Sequence, residues 1–325
     1  MSLFDDIVKK LEGATVLSDE PEALGFVDSG SYALNKVISG DFKKGYPIGS
    51  ITEIYGESST AKTVFLTHAF KGAQSKGYIP VLIDSEKAYS KTFAKQLGLN
   101  PEELIYLDPA TLEDCFQAME NTILKIREVD PDTPIIIGYD SIGVSPSKKE
   151  TQSAEVADDP NMGGALRAKI AGICLRRINP FLRKYKAGLI IINQIRSKVG
   201  VMYGDPRTKA GGGKALQYYC GTCIETASGK NDKILDDRGN VAGIRGKIKT
   251  TKNKIALPFQ ECEFELLFDK GLSRGHGMTE LAYKSGLITQ PSKGWFSFEG
   301  DDKKYRKAEM DKTLTDKIES GDFDL

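Results

Sequence analysis

Residues 56–63 read Gly56-Glu57-Ser58-Ser59-Thr60-Ala61-Lys62-Thr63. They follow an apolar, β-favouring run at 50–56 and open a helical pattern at about 63–76. A Ser/Thr-rich loop between a strand and a helix, ending in Lys-Thr, is the setting of a phosphate-binding loop. Successive backbone N–H groups and the helix N-terminus create a positive concavity for phosphate oxygens. Lys62 would reach the β- and γ-phosphates of a nucleoside triphosphate, and the Thr63 hydroxyl would ligate Mg²⁺. The pattern G-x-x-x-x-G-K-[ST] is broken at Ala61, where glycine is expected. The added methyl is tolerable only with negative φ and room beside the phosphate. The competing reading is a polar turn that caps an ordinary helix.

Two acids extend the phosphate-loop reading. Asp140 ends the run IIIGYD, at the carboxyl end of a buried strand, which is the ligand edge of a parallel sheet. There it can hold Mg²⁺, directly or through water; as the residue before Ser141 it also suits a helix N-cap. Glu86 lies just past VLID, where a carboxylate can orient and deprotonate an attacking water.

The elements that must position these groups alternate. Apolar strand candidates at 50–56, 78–84, 133–140 and 187–194 are separated by helical stretches at about 63–76, 90–98, 111–129 and 163–186. Continuous apolar strands with helices between them imply parallel pairing in an α/β sheet. Short amphipathic helices are expected at 4–12 and within 30–46. After residue 214 three successive strands (220–228, 242–254, 259–268) read as an antiparallel extension. A smaller unit follows from about 271, with a helix near 276–286 and a strand at 295–298. The polar, mildly acidic stretch 308–325 is expected to be partly disordered.

Composition narrows the classes of function. The chain has 325 residues, 40% hydrophobic and 28% charged, with 45 basic and 45 acidic side chains. Zero net charge excludes a strongly basic whole-chain polyelectrolyte binder, although a local basic patch survives a neutral total. No apolar run is long enough to span a membrane, and the N-terminus carries no secretory h-region. Five cysteines without a dense framework fit a reducing compartment. With only His68 and His276, the count argues against catalysis through a histidine pair and against a His-rich metal site.

Charge is nevertheless concentrated. From Arg176 to Lys214 there are ten basic residues and one acid, Asp205. Within that span, residues 195–215 hold five glycines and no regular period, and mix Arg196, Lys198, Arg207, Lys209 and Lys214 with Val199, Val201, Met202 and Tyr203. Cations beside apolar and aromatic groups suit single-stranded nucleic acid, charge meeting phosphate and bases stacking or being wedged apart. A solvated surface loop is the alternative. A second basic run, 245–254, fits an exposed strand face, which could simply be a solubilising edge.

Asn193-Gln194-Ile195-Arg196 with Gly200-Val201-Met202-Tyr203-Gly204, then Gly211-Gly212 and Ala215-Leu216, resembles the RecA recombinase family. So do Lys252-Asn253-Lys254-Ile255-Ala256, Pro258-Phe259 and Glu263-Phe264, and the order of phosphate loop, DSE, YDS and NQIR. The likeness runs from about residue 29 to about 298. It implies an α/β RecA-like P-loop ATPase core at 29–270, with a mostly parallel central sheet and an antiparallel extension. An N-terminal interface segment (1–28) and a small C-terminal α+β domain with an acidic tail (271–325) would flank that core.

The resemblance also implies a DNA-dependent ATPase that binds ATP and Mg²⁺ between subunits of a helical filament on single-stranded DNA, then pairs it with homologous duplex and exchanges strands. It puts Glu86 at the catalytic glutamate and Gln194 at the γ-phosphate sensor. Phe93 falls at the adenine-stacking aromatic, and Lys252 and Lys254 at the lysines that reach the neighbour's ATP. One DNA loop falls near 155–167, including Met162, Gly163 and Arg167. The other is 195–215, including Arg196, Ser197, Lys198, Val199, Met202, Tyr203, Arg207, Lys209, Gly211, Gly212, Gly213 and Lys214. It makes Cys220 and Cys223 two small buried residues rather than a metal or redox pair. A cytoplasmic location follows, the host cytoplasm for a phage-encoded member, which the short C-terminus would suit. Ala61, Ser90 and Gln217 depart from the family pattern, and the segment before residue 29 is only loosely alike. Ala61 motivates the alternatives of an ATP-binding DNA scaffold or regulatory paralogue with little turnover; a RecA-fold helicase is the third reading.

Overall fold

A computed structural model describes residues 3–12, 16, 23–152, 160–197, 207–228 and 232–322. Helix α1 (Leu3–Lys10) precedes β1 (Phe26–Val27), α2 (Tyr32–Ser39) and β2 (Tyr46–Pro47). The alternating core then runs β3 (Ile51–Gly56), α3 (Lys62–Ser75), β4 (Ile79–Asp84), α4 (Lys91–Gln96), β5 (Ile105–Leu107), α5 (Leu112–Val129) and β6 (Ile135–Asp140). Next come α6 (Lys148–Gln152), α7 (Pro160–Lys184), β7 (Ala187–Ser197), β8 (Arg207–Lys209) and α8 (Gly213–Tyr219). Strands β9 (Thr222–Ala227), β10 (Lys233–Leu235), β11 (Val241–Asn253), β12 (Glu261–Leu267) and β13 (Gly271–Leu272) follow. The chain ends on α9 (Met278–Lys284), β14 (Thr289–Ser292), β15 (Trp295–Ser297) and α10 (Lys307–Ser320).

The main sheet has the order β13-β12-β11-β9-β3-β7-β6-β4-β5. Pairs β3–β7, β7–β6, β6–β4, β4–β5 and β3–β9 are parallel, while β11 is antiparallel to both β9 and β12. The expected parallel sheet with an antiparallel extension is present, with one correction. The first strand after residue 214, β9, still runs parallel to β3, and the antiparallel part begins at β11.

Strand faces explain the continuous apolar runs. Ile136, Ile190 and Ile192 point into a cluster with Phe65, Leu66 and Phe70 of α3. Their neighbours Ile135, Ile137, Leu189 and Ile191 point into a second cluster with Phe116, Met119 and Ile123 of α5 and Leu175, Ile178 and Leu182 of α7. A sheet covered on both faces needs apolar residues at every position, so alternation disappears. Gly138 lets α3 approach closely: a Cβ there would lie 2.5 Å from Leu66 Cδ1 and Phe70 Cζ.

The C-terminal elements join the first cluster through Met278, Leu281, Phe296, Met310, Leu314 and Ile318. The expectation of partial disorder over 308–325 is overturned for 308–320, which lie in α10. Met310, Leu314 and Ile318 recur every four residues and are buried, and that stripe outweighs the polar composition. Asp311, also buried, accepts hydrogen bonds from the Thr279 and Gly277 N–H groups at the start of α9 (2.7 and 3.2 Å). His68 of α3 fastens the junction. Its Nε2 accepts the Leu272 N–H at 3.1 Å, and burial holds its pKa down to about 4, so the ring stays neutral.

Candidate functional site

The four parallel strands end at one edge, in register. Gly56 pairs with Gln194 and Asp84 with Asp140. The loop after β3 therefore faces the ends of β7, β6 and β4 across a cleft of about 340 Å³, lined by residues 58–64, Glu86, Asp140, Ile192 and Gln194.

Helices α2, α4 and α5 begin with capping side chains, those of Ser31, Ser90 and Thr111. Helix α3 has none, so its first-turn N–H groups have no side-chain acceptor and suit an anion. Lys62 is buried, and its ammonium donates to the Gly56 carbonyl at 3.2 Å and to the Glu57 carbonyl. Burial lowers its pKa, while Asp140, Glu86 and Glu57 oppose that shift. Thr60 bridges the Glu57 carbonyl (2.9 Å) and the Thr226 hydroxyl (2.8 Å), fixing the loop to β9. Glu57, Ser58 and Ser59 are exposed.

Ala61 corrects the condition read from the sequence. Its φ is +65°, and Ser59 has +62°. The loop keeps the left-handed geometry that glycine normally supplies, and the alanine adopts it at a cost of about 1–2 kcal/mol.

The Thr63 hydroxyl donates to Asp140 Oδ2 at 2.7 Å. Hydroxyl and carboxylate together form the oxygen donor set that a hard divalent cation prefers. Burial pushes the Asp140 pKa up to about 6; Thr63 and Lys62 oppose the rise, and Glu86 and Asp84 add to it. Glu86 Oε1 accepts from the Ser141 hydroxyl at 2.8 Å and from Gln194 Nε2 at 3.1 Å. Gln194 thus touches the carboxylate beside the cleft while its backbone continues toward the cationic segment.

The described ends of that segment carry regular structure. β7 extends to Ser197, β8 pairs with it antiparallel at Ile195↔Lys209, and α8 starts at Gly213. Lys198, Val199, Met202 and Tyr203 lie outside the described residues, as do residues 153–159 and the side chains of Ser197, Arg207 and Met162; Gly163 lies within α7. Arg196, Gly213 and Lys214 are exposed, while Gly211 and Gly212 are buried. A Cβ on Gly211 would meet the Ile142 carbonyl oxygen at 2.6 Å. Lys209 departs from the expectation of a solvent-facing DNA contact: its ammonium pairs with buried Glu53 and lies over the Tyr55 ring. Arg167 is half-buried and pairs with Glu150 at 3.5 Å.

Phe93 of α4 is half-buried against the first cluster, beside the cap residue Ser90. Lys252 donates to the Gln217 and Tyr218 carbonyls at the end of α8 (2.7 and 3.0 Å). Lys254 follows on the same segment, its backbone N–H bonded to the Gly221 carbonyl. Cys220 and Cys223 are buried within 4.8 Å of a Glu53 oxygen. Burial raises the Cys220 pKa, the Cys223 hydrogen bond adds to this, and Glu53 already has a cation. The cluster has the chemistry of a packed polar core. Sequence reading passed over Glu53, Ser141 and the role of Asn193. A lone acid inside the apolar run SITEIYG was the available signal, because a buried carboxylate requires a partner.

Two outcomes follow from this geometry. Ala61→Gly relieves the left-handed alanine and outweighs the added freedom of the unfolded chain, raising unfolding free energy by about 1 kcal/mol in urea titration; a decrease contradicts it. For Asp140, the native state keeps a proton between pH 4 and 6 that the unfolded chain has lost, so the wild type loses stability as pH rises through that window. The stability of Asp140→Asn relative to wild type should therefore grow from pH 4 to 6 and level off above. A difference independent of pH contradicts the assignment.

The RecA N-terminal domain family matches residues 7–273. Proteins named Protein RecA are similar over most of the chain. That of Desulforapulum autotrophicum is 34% identical over 282 residues, covering 87% of this chain and 76% of that protein. That of a Nocardioides species is 34% identical over 286 residues, covering 88% and 77%. That of Mycobacterium sp. strain KMS is 33% identical over 307 residues, covering 94% and 82%. A family match over most of the chain, together with a parallel sheet whose edge gathers Lys62, two carboxylates and the Asn-Gln strand end, makes this chain a member of the RecA family.

Proposed function

We propose that the protein is an ATP-dependent recombinase that assembles on single-stranded DNA and catalyses homologous pairing and strand exchange with duplex DNA. The observation that carries this reading is Gln194. Its amide touches Glu86 at the cleft, and its chain runs straight into the cationic segment.

ATP would lie along residues 56–63, its phosphates taking the N–H groups at the start of α3 and its adenine lying against Phe93. The Lys62 ammonium, now bonded to loop carbonyls, turns to the β- and γ-phosphate oxygens. The donor set fits a magnesium ion, with Thr63 and Asp140 to hold it; the ion supplies charge neutralisation at the phosphates. Glu86, held by Ser141, orients a water and accepts its proton as the water oxygen bonds to the γ-phosphorus. The bond to the β–γ bridging oxygen breaks, and ADP leaves with that electron pair. The Gln194 amide moves from Glu86 to the γ-phosphate and carries the strand end with it, ordering the loop against DNA. Hydrolysis removes that contact and weakens the grip on DNA.

Lys252 and Lys254 would act on the ATP of a neighbouring protomer, as an arginine finger does in trans. Filament assembly is supported by α1, whose Phe4 and Ile7 are exposed, as is Leu11 just after it, an apolar face that could cover another copy. It is supported too by the edge strand β5, with Ile105 and Tyr106 exposed. Among the described residues no helix is long and apolar enough to cross a membrane; a cytoplasmic location is part of the proposal.

Lys62→Ala should abolish ATP turnover and strand exchange in phosphate-release and oligonucleotide assays; retained turnover contradicts the phosphate-loop role. Mixing Lys254→Ala with Glu86→Gln subunits, each inactive alone, should restore part of the turnover at mixed interfaces. No restoration contradicts action in trans. DNA binding with no phosphate release in the wild type would favour the scaffold alternative.

A further inference from the structure

Asn193 is fully buried and uses both ends of its amide. Its Nδ2 donates to Glu53 Oε1 at 2.9 Å and to the Gly211 carbonyl at 3.0 Å. Its Oδ1 accepts from the Gln194 N–H at 2.9 Å and from the Gly211 N–H at 3.1 Å. The Gln194 carbonyl accepts the Ala210 N–H at 2.7 Å. Both backbone polar groups of Gln194 are therefore tied, directly or through one side chain, to residues 210–211 at the downstream root of the cationic loop.

Glu53 anchors this arrangement. It is 0% exposed in the middle of β3, and its second oxygen pairs with the Lys209 ammonium, which sits 3.6 Å from the centroid of the Tyr55 ring. A carboxylate buried in an apolar strand is costly without a cation. Here the cation comes from the loop itself, one residue before the hydrogen-bonded root. Pulling residues 209–211 away would strand the Glu53 charge and break the Asn193 bonds to Gly211, so the root is held to β3 and, through Asn193, to the end of β7.

We propose that Lys209 is a positioning residue: paired with Glu53, it locks the downstream root of the 195–215 loop to the Gln194 strand end and sets how strongly nucleotide state controls DNA affinity, rather than contacting DNA. This rests on the nucleotide coupling proposed above. Lysine suits the task because its stem crosses the apolar Tyr55 ring while its head meets the carboxylate.

The test uses full-length protein and labelled oligo(dT), with anisotropy read in ADP and in a slowly hydrolysed ATP analogue across a salt series. The variants are Lys209→Met and the neutral double variant Glu53→Gln/Lys209→Met, which folds without a stranded charge if the single variant does not. In both, the ratio of Kd in ADP to Kd in the analogue should fall by about five-fold or more, a loss on the scale of allosteric coupling. The salt slope in the analogue should stay that of the wild type, because no phosphate contact is lost. A slope reduced in magnitude by about 0.7 per protomer with the ratio unchanged makes Lys209 a DNA ligand and overturns the proposal. A large wild-type ratio kept by the variants, with the slope also kept, overturns it alone. A wild-type ratio near one overturns the nucleotide coupling itself, and the latch with it.

Discussion

The parallel pairing of β3, β7, β6 and β4 is the constraint on which the site depends. Each strand contributes one group at its carboxyl end or just beyond: Lys62 after β3, Gln194 near the end of β7, Asp140 on β6, Glu86 after β4. The pairs Gly56↔Gln194 and Asp84↔Asp140 bring these ends level. A slip of one residue would turn each strand's side chains to the opposite face. Two apolar layers hold the register, because every isoleucine of IIIGYD and AGLIIINQ has a helix to pack against on one side or the other. The hydrophobic core thus fixes the geometry of the polar edge.

Burying that edge has electrostatic consequences. Asp140 is held above the ordinary carboxylate range and Lys62 below the ordinary ammonium range, each chiefly by loss of water. Groups held this way gain most from a charged ligand, since a phosphate or a cation restores what burial removed. The uncapped start of α3 has the same character. The left-handed Ala61 shows that this loop geometry survives without glycine, the strain being carried by contacts such as Thr60 with Thr226.

Much of this was legible in the sequence because it is written in local pattern. The strands, the helices between them, the phosphate loop and the strand-end acids all follow from apolar runs and short motifs. Three features were not read: two depend on what a residue meets across the fold, and the third was hidden by composition. Lys209 reads as one cation among ten, and only the sheet shows Glu53 beneath it. Removing one partner of a buried ion pair commonly costs about 3–5 kcal/mol, so this lysine differs in kind from exposed Arg196. The helix of 307–320 was masked by acidic composition although Met310, Leu314 and Ile318 were correctly spaced. The direction of β9 could not be read from its residues, because parallel and antiparallel neighbours demand the same apolar face.

The central claim is that a triphosphate read by Gln194 governs a cationic segment that holds an unpaired strand. A cryo-EM map of the full chain on single-stranded DNA with a slowly hydrolysed ATP analogue tests it most directly. The account predicts nucleotide density between residues 56–63 of one protomer and Lys252 and Lys254 of the next, the Gln194 amide on the terminal phosphate, and DNA along the 196–214 segment. Nucleotide density remote from Lys62, or DNA resting on another face of the protein, would contradict it.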